Sequence, residues 1–359
     1  MRKFGLLIDW RLFLPAVILV ILGLTTLTTL SSSLFKSQLI TFAASVVAYL
    51  IFSQVTLDSF RGFYFPLYLL SLFLLIVVFL FGFESHGAAR WIVILGVSLQ
   101  FSELLKPFLL VSLSAYLSSV SNSSFRSFAS ILLFLLPALF LIYKQPDLGN
   151  AIIYAFTAIS TMVLFGFPFL WFGVTLCALL AISPLFWGIL HDYQRQRILT
   201  FLHPTSDPLG TSYNAIQAVI AVGSGMFFGK GLGQATQSGL RFLPERHTDF
   251  MFATFTESFG FFGGMLVFIC FGLLCYRIYT IFSRTDDAFS KIFSAGALIL
   301  LLMHFFFNVG MNIGVVPVVG VTLPFLSYGG NSLLSFFILL GMLTSISHSL
   351  KGKRVLEIR

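Results

Sequence analysis

From Leu12 onward the chain is a succession of apolar runs, each close to twenty residues long and separated by short polar stretches. About twenty such residues are what an α-helix needs to cross the hydrocarbon layer of a bilayer. Lipid also requires every backbone polar group in the crossing to be satisfied internally, which a helix does alone. The runs lie near 12–31, 38–56, 64–83, 99–119, 128–143, 148–166, 168–190, 250–281, 287–313 and 328–349. They predict an all-α polytopic membrane protein of about ten transmembrane helices, forming one membrane domain over 1–359. Only 9% of the residues are charged, against roughly 25% in soluble domains, and the mean hydropathy is +0.98. A water-facing globular surface is excluded.

The basic residues set the orientation, because short cytoplasmic loops carry the excess of Lys and Arg. With the N-terminus in the cytoplasm, 12 Lys and Arg fall inside and 3, Lys36, Arg90 and Lys144, fall in short outer loops. Ten spans then place the C-terminus in the cytoplasm as well. The net charge of +8 follows this topology and gives no reason to expect nucleic acid. Arg2 and Lys3 precede the first apolar run, and no small-residue cleavage site follows it, so that run reads as an uncleaved span. Cys177, Cys270 and Cys275 lie inside apolar runs with no CxxC, which argues against a disulfide framework or a zinc site.

One loop is long: about 191–249, between helices 7 and 8, extracytoplasmic on this orientation. Loops of this length are usually functional. It carries Arg195, Arg197, Arg241 and Arg246, whose forks suit phosphate oxygens; a solvated basic loop is the plainer alternative. Gly229-Lys-Gly-Leu-Gly233 lacks the spacing of a nucleotide phosphate loop.

Ionisable groups at membrane depth are functional candidates by default. Glu103 and Lys106, in Phe101-Ser-Glu-Leu-Leu-Lys-Pro107, share a helix face. They are either a mutually neutralising pair or a cation held for an anionic substrate. Asp147, after Pro146, reads as a helix N-cap. Asp249 stands at the start of span eight, where partial desolvation raises a carboxylate's pKa and suits it to general-base work; capping by Thr248 or Asp249 is the alternative. Glu257 falls on about the same face, as a second candidate or a buried group paired elsewhere. Asn308 and Asn312, four apart, read as helix–helix glue. The segment 314–330, with two Pro and several Gly, reads as a folded outer loop packed on the bundle. The six His show no metal spacing.

Several of these stretches together resemble the RodA/FtsW/SpoVE (SEDS) family: Val315-Val-Pro317 with Gly320, Leu323-Pro-Phe-Leu-Ser-Tyr-Gly-Gly330, Gln145-Pro-Asp-Leu-Gly149, Ser102-Glu103 with Lys106, Gly223-Ser-Gly225 with Gly231-Leu-Gly233, and Leu243-Pro-Glu245 with His247-Thr-Asp-Phe250. Each is weak alone; the set occurs in the family's order from Asp9-Trp10 to the last span. Ala235, Ala218 and Asn331 depart from the usual residues without touching the charged positions. Asp9-Trp10 and the short tails resemble the RodA branch more than the FtsW branch. The resemblance implies a bacterial inner-membrane peptidoglycan glycosyltransferase that polymerises lipid II on the outer face during cell elongation. It implies Asp249 as catalytic residue, acting as general base or through a divalent cation (Mg or Mn) with Asp249 as ligand. Lys106, Glu103, Arg197, Arg241, Arg246 and His247 are the implied substrate-binding residues. The implied partners are the undecaprenyl pyrophosphate-linked glycan, a class B penicillin-binding protein and an MreC/MreD-type elongation complex. Competing readings are an FtsW-type division polymerase, a lipid II flippase and a recruiting scaffold. A flippase would place charges at the midplane and carry inverted repeats, whereas here the charges cluster at the outer edge.

Overall fold

The computed structural model describes residues 7–85, 88–94, 97–122, 124–177, 195, 199, 212–240 and 242–357. The elements in chain order are α1 (Trp10–Leu30), α2 (Ser32–Gln54), α3 (Leu57–Arg61), α4 (Tyr64–Phe81), β1 (Phe83–Ser85), β2 (Ala88–Ile94), β3 (Val97–Leu99), α5 (Phe101–Leu104), α6 (Lys106–Ser119), α7 (Phe125–Lys144), α8 (Leu148–Leu164), α9 (Tyr213–Ser224), α10 (Thr236–Gly239), α11 (Met251–Arg284), α12 (Ala288–Asn312) and α13 (Gly330–Glu357). Residues 169–177 are also helical. Among the described residues, α1, α2, α4, α7, α11, α12 and the 330–350 part of α13 are long and apolar enough to cross a membrane. The shorter α6 and α8 and the helix through 169–177 occupy the three remaining apolar runs. The helical polytopic architecture expected from the runs is therefore present.

Large apolar side chains such as Ile40, Phe73, Phe81 and Leu133 point outward, as lipid-facing residues do. The core lies between α1, α2, α6, α11, α12 and α13, around Tyr49, Phe255, Phe293, Phe336 and Phe337. At one end Asp9 caps α1 by accepting from Arg11 N. The same carboxylate accepts from Arg277 Nε at 3.0 Å and Ser347 Oγ at 2.7 Å, which ties α1 to α11 and α13.

Four features depart from the sequence reading. The stretch between α4 and α5, expected as a plain outer loop, forms a three-stranded antiparallel sheet in the order β1-β2-β3. Short apolar runs such as 91–94 are ambiguous between strand and helix. The fourth span is not one helix from residue 99: it breaks at Leu105, between α5 and α6, with Pro107 in the first turn of α6. The long loop contains a helix of its own, α9, whose Ala218 and Ala221 are buried. Finally, α11 is discontinuous at Gly260 (φ +68°, ψ −162°), a backbone region essentially reserved for glycine.

That break is filled by the loop. Phe261 N donates to Met226 O at 2.8 Å and Phe262 N to Phe227 O at 3.2 Å. Lys230 N donates to Glu257 O at 2.9 Å and Gly231 N to Ser258 O at 3.0 Å. Backbone groups freed by the break are thus paired again, as membrane depth requires. Gly229 makes the approach possible: its φ is +79°, and a Cβ there would lie 2.1 Å from Ser258 O.

Candidate active site

Asp249 lies two residues before α11. The N-cap of α11 is Phe250, with no side-chain cap bond, and the first-turn N–H of Ala253 donates to Asn312 Oδ1 at 3.0 Å. The capping role weighed for Thr248 or Asp249 falls to Asn312 instead. Three consecutive carbonyls around Asp249 are each held from elsewhere. His247 O accepts from Tyr328 N at 2.8 Å. Thr248 O accepts from Ser327 Oγ at 2.7 Å. Asp249 O accepts from Nδ2 of both Asn308 and Asn312, each at 3.0 Å. Asn308 Nδ2 also donates to Val321 O at 2.7 Å. Asn308 and Asn312 therefore do more than glue helices: they fix the backbone that carries Asp249 and the loop that clamps it. The Asp249 side chain itself is half-buried at the edge of the bundle.

The folded segment 314–329 supplies that clamp. Val321, Leu323, Phe325 and Leu326 are buried, and Ser327 Oγ accepts from Leu323 N at 3.0 Å, closing the turn. Both sequence stretches singled out at this end, 243–250 and 323–330, are thereby brought into contact.

Glu103 and Lys106 form a second, enclosed cluster. Lys106 Nζ donates to Glu103 Oε2 at 2.6 Å, with Lys106 0% and Glu103 6% exposed. Glu103 Oε1 accepts from Asn150 Nδ2 at 2.8 Å, and the same amide donates to Asp147 Oδ2 at 2.8 Å. Asp147 caps α8, accepting from Asn150 N at 3.3 Å, and also accepts from Ser102 Oγ at 2.8 Å and Gln100 Nε2 at 3.0 Å. The N-cap reading of Asp147 holds, and the residue is in addition wired to Glu103 through Asn150. Arg90, on β2, donates from Nε to Gln145 O at 3.1 Å and from Nη2 to Pro146 O, so a second cation sits against the turn before Asp147. Sequence reasoning passed over Asn150 and counted Arg90 only as an outer-loop charge. Asn150 carries the i, i+3 spacing to Asp147 as a signal; Arg90 carries none.

The remaining candidates divide. Arg246 Nη1 donates to Ser238 O, which turns it toward the long loop. His247 is half-buried, its ring 5.6 Å from that of Tyr328. Burial lowers the His247 pKa from its usual value, against the pull of Glu245 and with help from Arg246. Arg197 and Arg241 lie outside the described residues. Glu257 is no second base: its buried carboxylate accepts from Lys230 Nζ at 3.2 Å, Gln237 N at 2.8 Å, and Ser238 N and Oγ at 3.0 and 2.9 Å. It anchors the loop to α11. Among the described residues no three His, Cys, Asp or Glu side chains converge as a metal-binding group.

The fold and site define a polytopic helical membrane protein in which Asp249 stands at the start of a broken helix on a backbone segment held by Tyr328, Ser327, Asn308 and Asn312. The FtsW/RodA/SpoVE family, described as cell cycle proteins, matches residues 6–352, and the chain belongs to that family. It is 36% identical over 306 residues to the peptidoglycan glycosyltransferase MrdB of Escherichia coli K12, covering 85% of this chain and 83% of that protein. Its fold is similar to a chain in a peptidoglycan synthase complex in which polymerization and crosslinking are coordinated (TM-score 0.82, 30% identity, 95% of this chain and 98% of that one). It is also similar to the rod shape determining protein RodA of Thermus thermophilus (TM-score 0.71, 26% identity, 94% and 96%).

Proposed function

We infer that this protein is a peptidoglycan glycosyltransferase of the bacterial inner membrane that polymerises lipid II during cell elongation, with Asp249 as the residue that activates the acceptor. The observation that carries the Asp249 assignment is the fixation of carbonyls 247, 248 and 249 by Tyr328, Ser327 and the Asn308–Asn312 pair. A residue whose backbone is held this way can present its carboxylate as the preplaced proton acceptor the reaction needs. Such rigidity has no evident use in a scaffold.

In the proposed step, Asp249 takes the proton from the 4-hydroxyl of the acceptor's N-acetylglucosamine. That oxygen forms a bond to C1 of the donor's N-acetylmuramic acid as the bond from C1 to the pyrophosphate oxygen breaks. Undecaprenyl pyrophosphate leaves with the bonding electrons, and the configuration at C1 inverts. Lys106, with Glu103 holding it, and the loop residues Arg197, Arg241, Arg246 and His247 are the groups proposed to bind the anionic substrate. One carboxylate together with substrate phosphate oxygens is a donor set that magnesium accepts. Asp249 would hold such an ion, which would offset pyrophosphate charge. The similarity to a synthase complex supports a crosslinking penicillin-binding protein as partner; an MreC/MreD-type complex is a further proposed contact. The N-terminus, C-terminus and long loop are proposed to lie inside, inside and outside, as the Lys and Arg distribution favours.

The test is incubation of the purified protein and its penicillin-binding partner with lipid II in detergent. Glycan chains from the wild type and none from a folded Asp249→Ala protein are expected. Glycan from neither protein, with lipid II carried across vesicles instead, would favour the flippase.

A further inference from the structure

His304 is on α12, one turn before Asn308 and two before Asn312, on the same face. Its side chain is fully buried. Nδ1–H donates to Thr322 O at 3.3 Å, while Nε2 has no hydrogen-bond partner among the described residues. An unpartnered buried nitrogen is costly and rare enough to call for a reason. The imidazole meets the Phe336 ring edge-on at 5.1 Å, and Lys106 Nζ is 5.4 Å from the centroid of that same ring. Lys106 of α6, paired with Glu103, therefore lies on the far side of the Phe336 ring that α13 presents to the imidazole. One turn on, Asn308 holds Val321 O and Asp249 O. The neighbouring carbonyls of Val321 and Thr322 are therefore gripped by Asn308 and His304.

We propose that His304 is a positioning residue that couples the Lys106–Glu103 pair to the loop clamping Asp249. The proposal rests on the polymerase reading above. When Lys106 engages an anionic oxygen, the charge beside the imidazole changes, and in this low-dielectric setting its hold on Thr322 O changes with it.

The experiment is lipid II polymerisation with the penicillin-binding partner, read as kcat and KM. His304→Gln retains an N–H for Thr322 O and is expected to keep most of the wild-type kcat. His304→Leu is expected to lower kcat roughly tenfold or more, as displaced catalytic groups do, with KM little changed. Added to Lys106→Met, it is expected to produce no further loss, the sign of residues acting as a unit. Wild-type kcat in a folded His304→Leu protein, or losses that multiply in the double variant, would overturn the proposal. If His304→Leu does not fold, His304→Asn, whose shorter amide does not reach Thr322 O, takes its place with the same two outcomes. A wild-type protein that makes no glycan sinks the polymerase reading instead, so the two failures are distinguishable.

Discussion

Lys106 and Glu103 illustrate what a charge requires at membrane depth. Each is enclosed, and each has the other at 2.6 Å. Removing one member of such a pair strands the other's charge, which costs about 3–5 kcal/mol, whereas replacing both by neutral groups of similar size is close to neutral. Lys106→Met and Glu103→Gln are each expected to lower the melting temperature in detergent, and the double variant to recover most of the loss. Single variants that melt like the wild type would show that the pair does not bear on stability. The recovered double variant also separates the two roles weighed for the pair. Lost polymerisation in a stable protein assigns Lys106 to the substrate; retained polymerisation assigns it to packing. The pair was legible from its i, i+3 spacing. Its connection through Asn150 to Asp147 was not, because it requires α8 to lie against α5, and no local pattern encodes that packing.

At the scale of elements, the long loop and α11 depend on each other. The break at Gly260 frees backbone groups that segment 226–231 satisfies, and Glu257 fastens 236–238 beside it. Gly260→Ala forces a side chain into a φ of +68° and sets its Cβ 2.3 Å from Gly229 N. The strain alone is worth about 1–3 kcal/mol. The expected outcome is a lower melting temperature with faster hydrogen exchange in 226–238; exchange unchanged there would refute the dependence. Glu257→Gln, which keeps the shape but weakens the charge-assisted bonds to Gln237 and Ser238, is expected to speed exchange in 236–238 while leaving 251–256 protected. The importance of this loop was readable from its length and glycines. Its pairing with α11 was not, since a helix broken by one glycine keeps the apolar pattern of an unbroken one. The sheet of β1 to β3 escaped for a related reason: β1 and β3 are too short to show alternation, and the apolar end of β2 reads equally as helix.

Across the whole molecule, the apolar runs carry the helical architecture, while the site arises from long-range closure. Residues 247–249 and 321–328 meet only because α11, α12 and α13 pack side by side. The charge bias makes a direct prediction. In a protein freed of Cys177, Cys270 and Cys275, a cysteine replacing Lys36 should react with a membrane-impermeant thiol reagent in intact cells. One replacing Arg284 should react only after lysis. The reverse pattern would invert the topology and move Asp249 to the wrong face for lipid II polymerisation.

The most direct measurement concerns the carboxylate itself. Asp249→Asn preserves the shape of the side chain and leaves the backbone bonds from Tyr328, Ser327, Asn308 and Asn312 available, while removing the proton acceptor. With lipid II and the penicillin-binding partner present, a folded Asp249→Asn protein is expected to make no glycan chains. Chains of wild-type length from that protein would contradict the assignment of Asp249 as the group that activates the acceptor.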